Sequence, residues 1–406
     1  MKKIVLFSSF FTLVFVYSSA AEKSNKVYFS INSKNRKIDI PIQLNDSITA
    51  KMTFDTGAGA GTFYLDSTFC KSHPSILLDK IPSKVGQSGS AWSTTRIPIS
   101  GYETVPKTKI GIADLKYNSM GIYDFKRYFN STESDGLFGI PQNDTTHVWE
   151  LNFEHNYLEI HPVEDFKMPD NCFVFPILMD EINHYPFNIQ LPIKIKCVNG
   201  DTLTINRKFM IDTGMSWDIA LMYNAKELPF FNKKEDAAWI GYLDSYFRYY
   251  IVDAMLFDNY QIDSLRIYTF NYPNSVRCNY LIGQNFLKRF NVFFDMKNRQ
   301  IGLQPIETFQ RVTNPNYRQF HLSTFVNSKG KTFVREVGNY KGNYYKTAGF
   351  QNGDEIIKLN GKLFKNVTYE DKLELFKKDT LIYDIIRKGK PMKIAVKVDK
   401  NEKQGD

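Results

Sequence analysis

The sequence predicts a mainly β protein built from two duplicated β halves and a small C-terminal α+β domain. Three observations carry that prediction. The tripeptide Asp-Thr-Gly occurs twice, in Phe54-Asp55-Thr56-Gly57-Ala58 and in Ile211-Asp212-Thr213-Gly214-Met215, each time directly after an apolar, strand-like run. Each copy is followed, in the same order, by a polar hairpin tip, an apolar pair before glycine and a closing hairpin. Beyond the second copy the pattern stops, and a segment of about eighty residues remains, large enough for a small domain of its own.

At 406 residues the chain can build two or three substantial cores. Its 15% aromatic and 23% charged composition excludes a disordered chain. Residues 1–21 read as a signal peptide: Lys2 and Lys3, an apolar run over 4–17, then Ser18-Ser19-Ala20-Ala21 for cleavage. The run is too short to span a membrane and no later stretch is longer, so the mature protein is expected to be exported, periplasmic or secreted, with no membrane span. No cysteine lies near the cut to carry a lipid. The formal charge of +9 comes from scattered lysines, which reads as solvated faces and not as a nucleic-acid surface. Cys70, Cys172, Cys197 and Cys278 allow three full disulfide pairings, and their wide spacing argues against a cysteine zinc site.

The first half is assigned to 25–165. Strands are expected over 27–31, 37–44 and 49–54, from their β-branched and aromatic content, with Pro41 placing the second at a sheet edge. Asp66 reads as the N-cap of a short helix through Cys70 and Lys71. In the second half, assigned to 166–306, Asn224 and Glu227 offer a similar cap at nearly the same distance from Asp212. Segments 110–125 and 255–270 align without a gap, ending in Ser119-Met120-Gly121-Ile122-Tyr123-Asp124-Phe125 and Ser264-Leu265-Arg266-Ile267-Tyr268-Thr269-Phe270. Each reads as two apolar strands around a polar turn. Upstream lie the candidate hairpin tips Gly86-Gln87-Ser88-Gly89-Ser90 and Gly241-Tyr242-Leu243-Asp244.

The halves close alike. Leu137-Phe138-Gly139 matches Leu281-Ile282-Gly283, and hairpins starting at Leu151 and Val292 end near Pro162 and Pro305. A repeat of roughly 150 residues exceeds a solenoid unit and suits two similar domains. Residues 307–318, polar and containing Pro315, read as a linker, and 319–400 as the last domain. There Ala348-Gly349-Phe350-Gln351-Asn352-Gly353-Asp354 leads into a strand over 355–360, a turn at Gly361 and a helix around 369–377.

The two carboxylates are the chemistry. Within hydrogen-bond reach they cannot both ionise easily, so they share one proton. The ionised member activates a water and the protonated member polarises a carbonyl, which hydrolyses an amide without metal or cofactor. Glycine lets the backbone approach closely, and the threonine hydroxyl can bond across to the other turn. One Asp-Thr-Gly alone is an ordinary turn sequence. Two copies, each embedded in the same succession of elements, are far more specific.

Over 27–305 the sequence resembles the pepsin and retropepsin-like aspartic proteases. The resemblance implies a bilobal pepsin-like fold and an endopeptidase acting on peptide or protein substrates. It implies Asp55 and Asp212 as the catalytic pair, supported by Thr56, Gly57, Thr213 and Gly214, and a hairpin flap over the substrate. Flap candidates are 86–92, with Ser88 and Gly89, and 241–246, with Tyr242; each reads equally as an ordinary exposed hairpin. Pepsin-like members usually carry Ser or Thr after each Asp-Thr-Gly, where this chain has Ala58 and Met215, although retropepsins also use Ala. Loss of those hydroxyls predicts a less stabilised carboxylate anion and a pH optimum milder than that of gastric-type enzymes. A catalytically inactive peptide-binding protein of the same fold is the alternative.

Residues 319–400 look like a PDZ domain of the bacterial exported type, through Ala348-Gly349-Phe350, Gly353-Asp354-Glu355-Ile356 and Asn360-Gly361. That resemblance implies a peptide ligand added as a strand to a sheet edge. No carboxylate-binding loop is recognisable in 322–333, and a structural docking role is an equal alternative. His147, His155 and His161 with Glu150 and Glu159 have metal-ligand chemistry, yet the matching hairpin of the second half has no histidine, so no metal site is expected. Gly57, Gly59 and Gly61 lack the third glycine of a nucleotide loop, Thr62 standing in its place.

Overall fold

The computed structural model describes residues 26–31, 36–59, 61–77, 82–88, 97–125, 134–141, 144–178, 187–196, 202–223, 239–240, 247–257, 259–271, 280–309, 322–327, 330–337, 344–367, 371, 374–375 and 378–397. The leader, the Asn224 and Glu227 cap, Gly89, Tyr242, Cys197, Cys278 and most of the linker lie outside these residues. Among the described residues the chain is mainly β, and no helix is long and apolar enough to cross a membrane.

In chain order the strands of the first half are β1 (Val27–Tyr28), β2 (Ser30–Ile31), β3 (Ile38–Leu44), β4 (Ile48–Phe54), β5 (Phe63–Asp66), β6 (Lys84–Ser88), β7 (Ile97–Tyr102), β8 (Thr108–Ile110), β9 (Ala113–Leu115), β10 (Met120–Tyr123), β11 (Gly136–Phe138), β12 (His147–Asn152) and β13 (Tyr157–Pro162). The second half contributes β14 (Phe173–Pro176), β15 (Asn188–Lys196), β16 (Thr202–Asp212), β17 (Ile219–Tyr223), β18 (Trp239–Ile240), β19 (Phe247–Leu256), β20 (Tyr260–Asn271), β21 (Tyr280–Gly283), β22 (Phe290–Asp295) and β23 (Gln300–Pro305). The C-terminal part holds β24 (Leu322–Val326), β25 (Thr332–Val337), β26 (Glu355–Leu359), β27 (Lys362–Leu363), β28 (Thr380–Arg387) and β29 (Lys390–Lys397).

The first half forms a sheet of order β6-β7-β10-β5-β11-β4-β3-β8-β9, and the second a sheet of order β15-β16-β21-β17-β20-β19-β18. The two repeat one pattern of pairings. The strand that delivers the aspartate runs parallel to the apolar-apolar-Gly strand, β4 beside β11 and β16 beside β21. That strand is in turn antiparallel to the strand after the turn, β11 to β5 and β21 to β17. The latter pairs in parallel with the next, β5 with β10 and β17 with β20. The glycine N–H of each apolar-apolar-Gly segment then closes the pattern, Gly139 donating to Thr62 O and Gly283 to Asp218 O, both at 2.9 Å.

A third sheet, β1-β13-β12-β22-β23-β14, draws on both halves, and its central pairing joins the two closing hairpins. Trp149 of β12 stands opposite Phe294 of β22, both fully buried. Phe54, the residue before Asp55, stacks parallel on Trp149 at 6.1 Å and packs on Phe138 at 5.2 Å. In the second half Phe187 packs edge-on against Phe294 at 5.1 Å, and its carbonyl accepts from Ile211 N, one residue before Asp212. Both turns therefore stand on one aromatic floor, where truncating Trp149 to alanine would cost about 3–5 kcal/mol.

Two local expectations change. Pro41 does not mark a sheet edge, because β3 lies inside its sheet. Beyond β4, its other neighbours meet it only at its ends, β2 at Ile38 and Asp39 and β8 at Gln43 and Leu44, so no ladder bond is lost at the proline. Segment 110–125 holds three strand pieces, not two: β8 ends at Ile110, Gly111 turns with φ 59°, and β10 leaves β9 to pair with β5 and β7. Its counterpart is one long hairpin, β19–β20, turning at Phe257 with φ 56° and bulged between Val252 and Ala254.

Asp66 caps the helix Ser67–Ser72 as expected, its Oδ1 accepting from Thr68 N and Phe69 N at 2.8 and 3.2 Å. The last sheet, β24-β25-β26-β28-β29 with β27 on β26, has its own core around Tyr345, Phe350, Ile356, Leu381 and Tyr383. Strand β26 and the turn at Gly361 fall where the sequence places them; of 369–377, residues 371 and 374–375 are helical.

Candidate active site

The two Asp-Thr-Gly turns meet face to face and are locked by their threonines. Thr56 Oγ1 donates to Ile211 O at 2.8 Å and accepts from Thr213 N at 3.1 Å. Thr213 Oγ1 donates to Phe54 O at 3.0 Å and accepts from Thr56 N at 2.9 Å. Both threonines are fully buried, so these four bonds have no competition from water. Gln284 adds a fifth contact from behind, its Nε2 donating to Thr213 O at 2.6 Å.

The lock brings Asp55 and Asp212 together. Asp55 accepts from the backbone N–H groups of Gly57 and Ala58, and Asp212 from those of Gly214 and Met215. Each carboxyl group also lies against the glycine of the opposite turn: a Cβ on Gly57 would overlap the Asp212 carboxyl, and one on Gly214 the Asp55 carboxyl. Glycine is required at both places by that close approach. The two side chains are within hydrogen-bond reach of each other.

Burial pushes the pair above the ordinary carboxylate range, and for Asp212 the neighbouring Asp55 charge adds to it. The backbone donors and the Lys37 ammonium oppose the rise without cancelling it. Burial is the largest cause of the altered acidity among the groups acting on the pair. A pair in this state keeps one shared proton to milder pH than two separate carboxylates would.

In the first half β6 pairs antiparallel with β7 around 89–96, which lies outside the described residues. Ser88 ends β6, while Gly89 lies outside the described residues. In the second half β18 pairs antiparallel with β19 around 241–246, which includes Tyr242 and also lies outside them. Beneath β7 is an apolar group of Tyr123 and Phe125 with Tyr64, Ile99 and Leu137. Burial, with Tyr64, Asp55 and Asp66 nearby, raises the Tyr123 phenol well above its usual range.

Three residues near the pair are not singled out by sequence reasoning: Lys37, Tyr123 and Gln284. Gln284 carries a usable signal, a polar residue directly after Leu281-Ile282-Gly283 where the first half has Ile140. Lys37 carries no local signal, and only its charge acting on both carboxylates connects it to the pair.

Away from the turns the closing hairpin of the first half brings Glu150, Glu159 and His161 together, with His161 Nε2 2.8 Å from Glu150 Oε2. Glu150 also accepts from Asn152 Nδ2 and from the Tyr157 hydroxyl. His147 instead contacts Asp144, and His155 stacks beside Tyr157. Cys70 and Cys172 are free thiols, both pushed up to about 12, chiefly by burial. Scanned against protein-family models the chain matches no family, and compared with curated proteins it finds no match.

Proposed function

We propose that the protein is an exported aspartic endopeptidase of the pepsin and retropepsin-like kind, bilobal, with a C-terminal PDZ-like domain. The observation that carries this reading is the juxtaposition of Asp55 and Asp212, each held by its own turn's backbone N–H groups and pressed against the glycine of the other. Such a pair supplies both roles in amide hydrolysis: one carboxylate takes a proton from water while the other, protonated, donates to the scissile carbonyl. Both aspartates come from one chain, so a single chain is sufficient. Two sheets with the same order of pairings, sharing a third, support the bilobal description. The antiparallel pairing of β6 with β7 supports reading 86–92 as a hairpin cover. In the C-terminal part a separately cored sheet around Gly353-Asp354-Glu355-Ile356 supports the PDZ-like assignment and a peptide ligand for it.

The test is cleavage of a peptide library by the mature chain and by Asp55→Asn and Asp212→Asn. The reading requires turnover by the parent and loss of about three orders of magnitude or more in each variant, the scale of removing an essential catalytic group. Binding without turnover by the parent would establish the inactive peptide-binding alternative.

A further inference from the structure

Resting on the protease reading, we propose that Gln284 is a positioning residue that makes the two repeated aspartates unequal, by turning the Thr213–Gly214 peptide into a stronger hydrogen-bond donor toward Asp212. Gln284 opens the short helix Gln284–Leu287 directly after β21, and its own N–H donates to Met215 O at 2.8 Å, which ties the helix start to the second Asp-Thr-Gly turn. From there its Nε2 donates to Thr213 O at 2.6 Å, in a place without solvent access. The carbonyl of Thr213 and the N–H of Gly214 are the two ends of one amide, and that N–H is one of the two backbone donors to the Asp212 carboxyl. A donor on the carbonyl draws electron density from the nitrogen, so the N–H binds a carboxylate more strongly. The same peptide presses Gly214 against the Asp55 carboxyl, so both acids feel a change in its position or polarity.

The first half is built differently at the same point. After Leu137-Phe138-Gly139 it has Ile140, equally buried and without a donor, so the counterpart of the Gln284 bond is missing. The polar group behind the first turn is instead the Tyr117 hydroxyl. It donates to Gly139 O at 2.8 Å, just past β11 and not within the turn, and the aligned position of the second half is Ile262. Burying a glutamine behind the second turn is unfavourable in itself. Its Oε1 is buried with no hydrogen-bond partner among the described residues, and an orphaned acceptor of this kind destabilises the fold. Ile140 shows that an apolar residue fills the equivalent place without that penalty. The glutamine is therefore explained by what Nε2 does at Thr213 O and not by packing. With this donor in place the singly charged pair is stabilised from the Asp212 side, against the effect of burial.

The experiment measures kcat and KM on one cleaved peptide, from acid to mildly alkaline pH, for the parent chain, Gln284→Met and Gln284→Glu, each kept below its melting temperature. Gln284→Met keeps the shape and loses the donor. Its kcat should fall about tenfold with KM within about twofold, the scale of one buried hydrogen bond felt in the transition state. The loss should be deepest on the acid side, because the pair then holds its first proton to higher pH. Gln284→Glu keeps a donor only while protonated, and its carboxylate repels both Thr213 O and the pair. Its kcat should stay within about threefold of the parent in acid and fall by a further tenfold or so as pH rises, the reverse of the Met variant. Ratios to the parent that do not vary with pH overturn the inference, and cleavage by the parent leaves the protease reading standing. Where Gln284→Met does not fold, Gln284→Glu decides by the same criterion. Carboxyl-carbon NMR of Asp-labelled protein gives a readout independent of cleavage: the first proton should leave the Asp55–Asp212 pair at higher pH in Gln284→Met than in the parent. If the parent cleaves nothing, that shift retains the role of Gln284 while refuting catalysis, and identical titrations refute the role.

Discussion

Replacing Thr213 by valine removes one hydroxyl and almost no volume, yet it should be among the most damaging single changes in the chain. The lost oxygen accepts from Thr56 N and donates to Phe54 O. Both groups belong to the opposite turn, and Thr213 is completely buried, so water cannot replace it. Each orphaned backbone group costs about 1–3 kcal/mol, giving about 2–6 kcal/mol for the pair. Against a total stability of about 5–15 kcal/mol, this should lower the melting temperature by on the order of 10 °C. Thermal denaturation followed by circular dichroism, with peptide cleavage measured in parallel at low temperature, provides the readout. Thr213→Ser keeps the hydroxyl and should stay within about 1 kcal/mol of the parent. Thr56→Val should resemble Thr213→Val, and the double variant should depart from additivity by at least about 0.5 kcal/mol, because the two residues share one bonding network. A Thr213→Val protein that melts within a degree of the parent and cleaves normally would refute the idea that the threonines hold the turns together.

Asp212→Asn, besides abolishing cleavage, should stabilise the fold in a pH-dependent way. The folded pair binds protons more tightly than unfolded aspartate, so its favourable contribution is complete below about pH 3.8 and is lost as pH rises through the raised folded value. The gain in melting temperature of Asp212→Asn over the parent should therefore be larger at pH 8 than at pH 4; equal gains would contradict the buried, coupled pair. Lys288 behaves oppositely, because its ammonium is depressed in the folded state and costs stability at neutral pH. Lys288→Met should raise the melting temperature at pH 7, with the gain shrinking above pH 8, and a flat difference would argue against a desolvated lysine. Gly57→Ala should fold but lose nearly all turnover, since its methyl group would displace the Asp212 carboxyl; wild-type kcat would show that the turns do not meet as described.

Much of this site is written locally. An apolar strand, Asp, Thr and Gly in series, then an apolar pair before glycine, are short-range patterns, and their repetition identifies Asp55 and Asp212 without coordinates. The helix cap at Asp66 is equally local. What sequence leaves unread depends on register between distant segments. Pro41 reads in sequence as the mark of a sheet edge, and only the positions of β2 and β8 show it in the gap between two partners that meet only the ends of β3. The pairing of β12 with β22 joins residues some 140 positions apart, roughly the length of the repeat, and no periodicity within either strand specifies it.

That last pairing bears on how the two halves could be separated. Strand β12 is sealed on one side by its own hairpin partner and on the other by β22, its counterpart in the second half. A first half expressed alone would present the bare edge of β12 together with the apolar surface around Trp149, a ready template for another strand. Because the halves repeat one plan, the best available substitute for β22 is β12 of a second copy. Cutting the chain in two should thus give a self-associating dimer with paired Asp55 turns, and not an isolated monomer, so the present single chain can be understood as a symmetric dimer whose subunits have been joined and allowed to diverge.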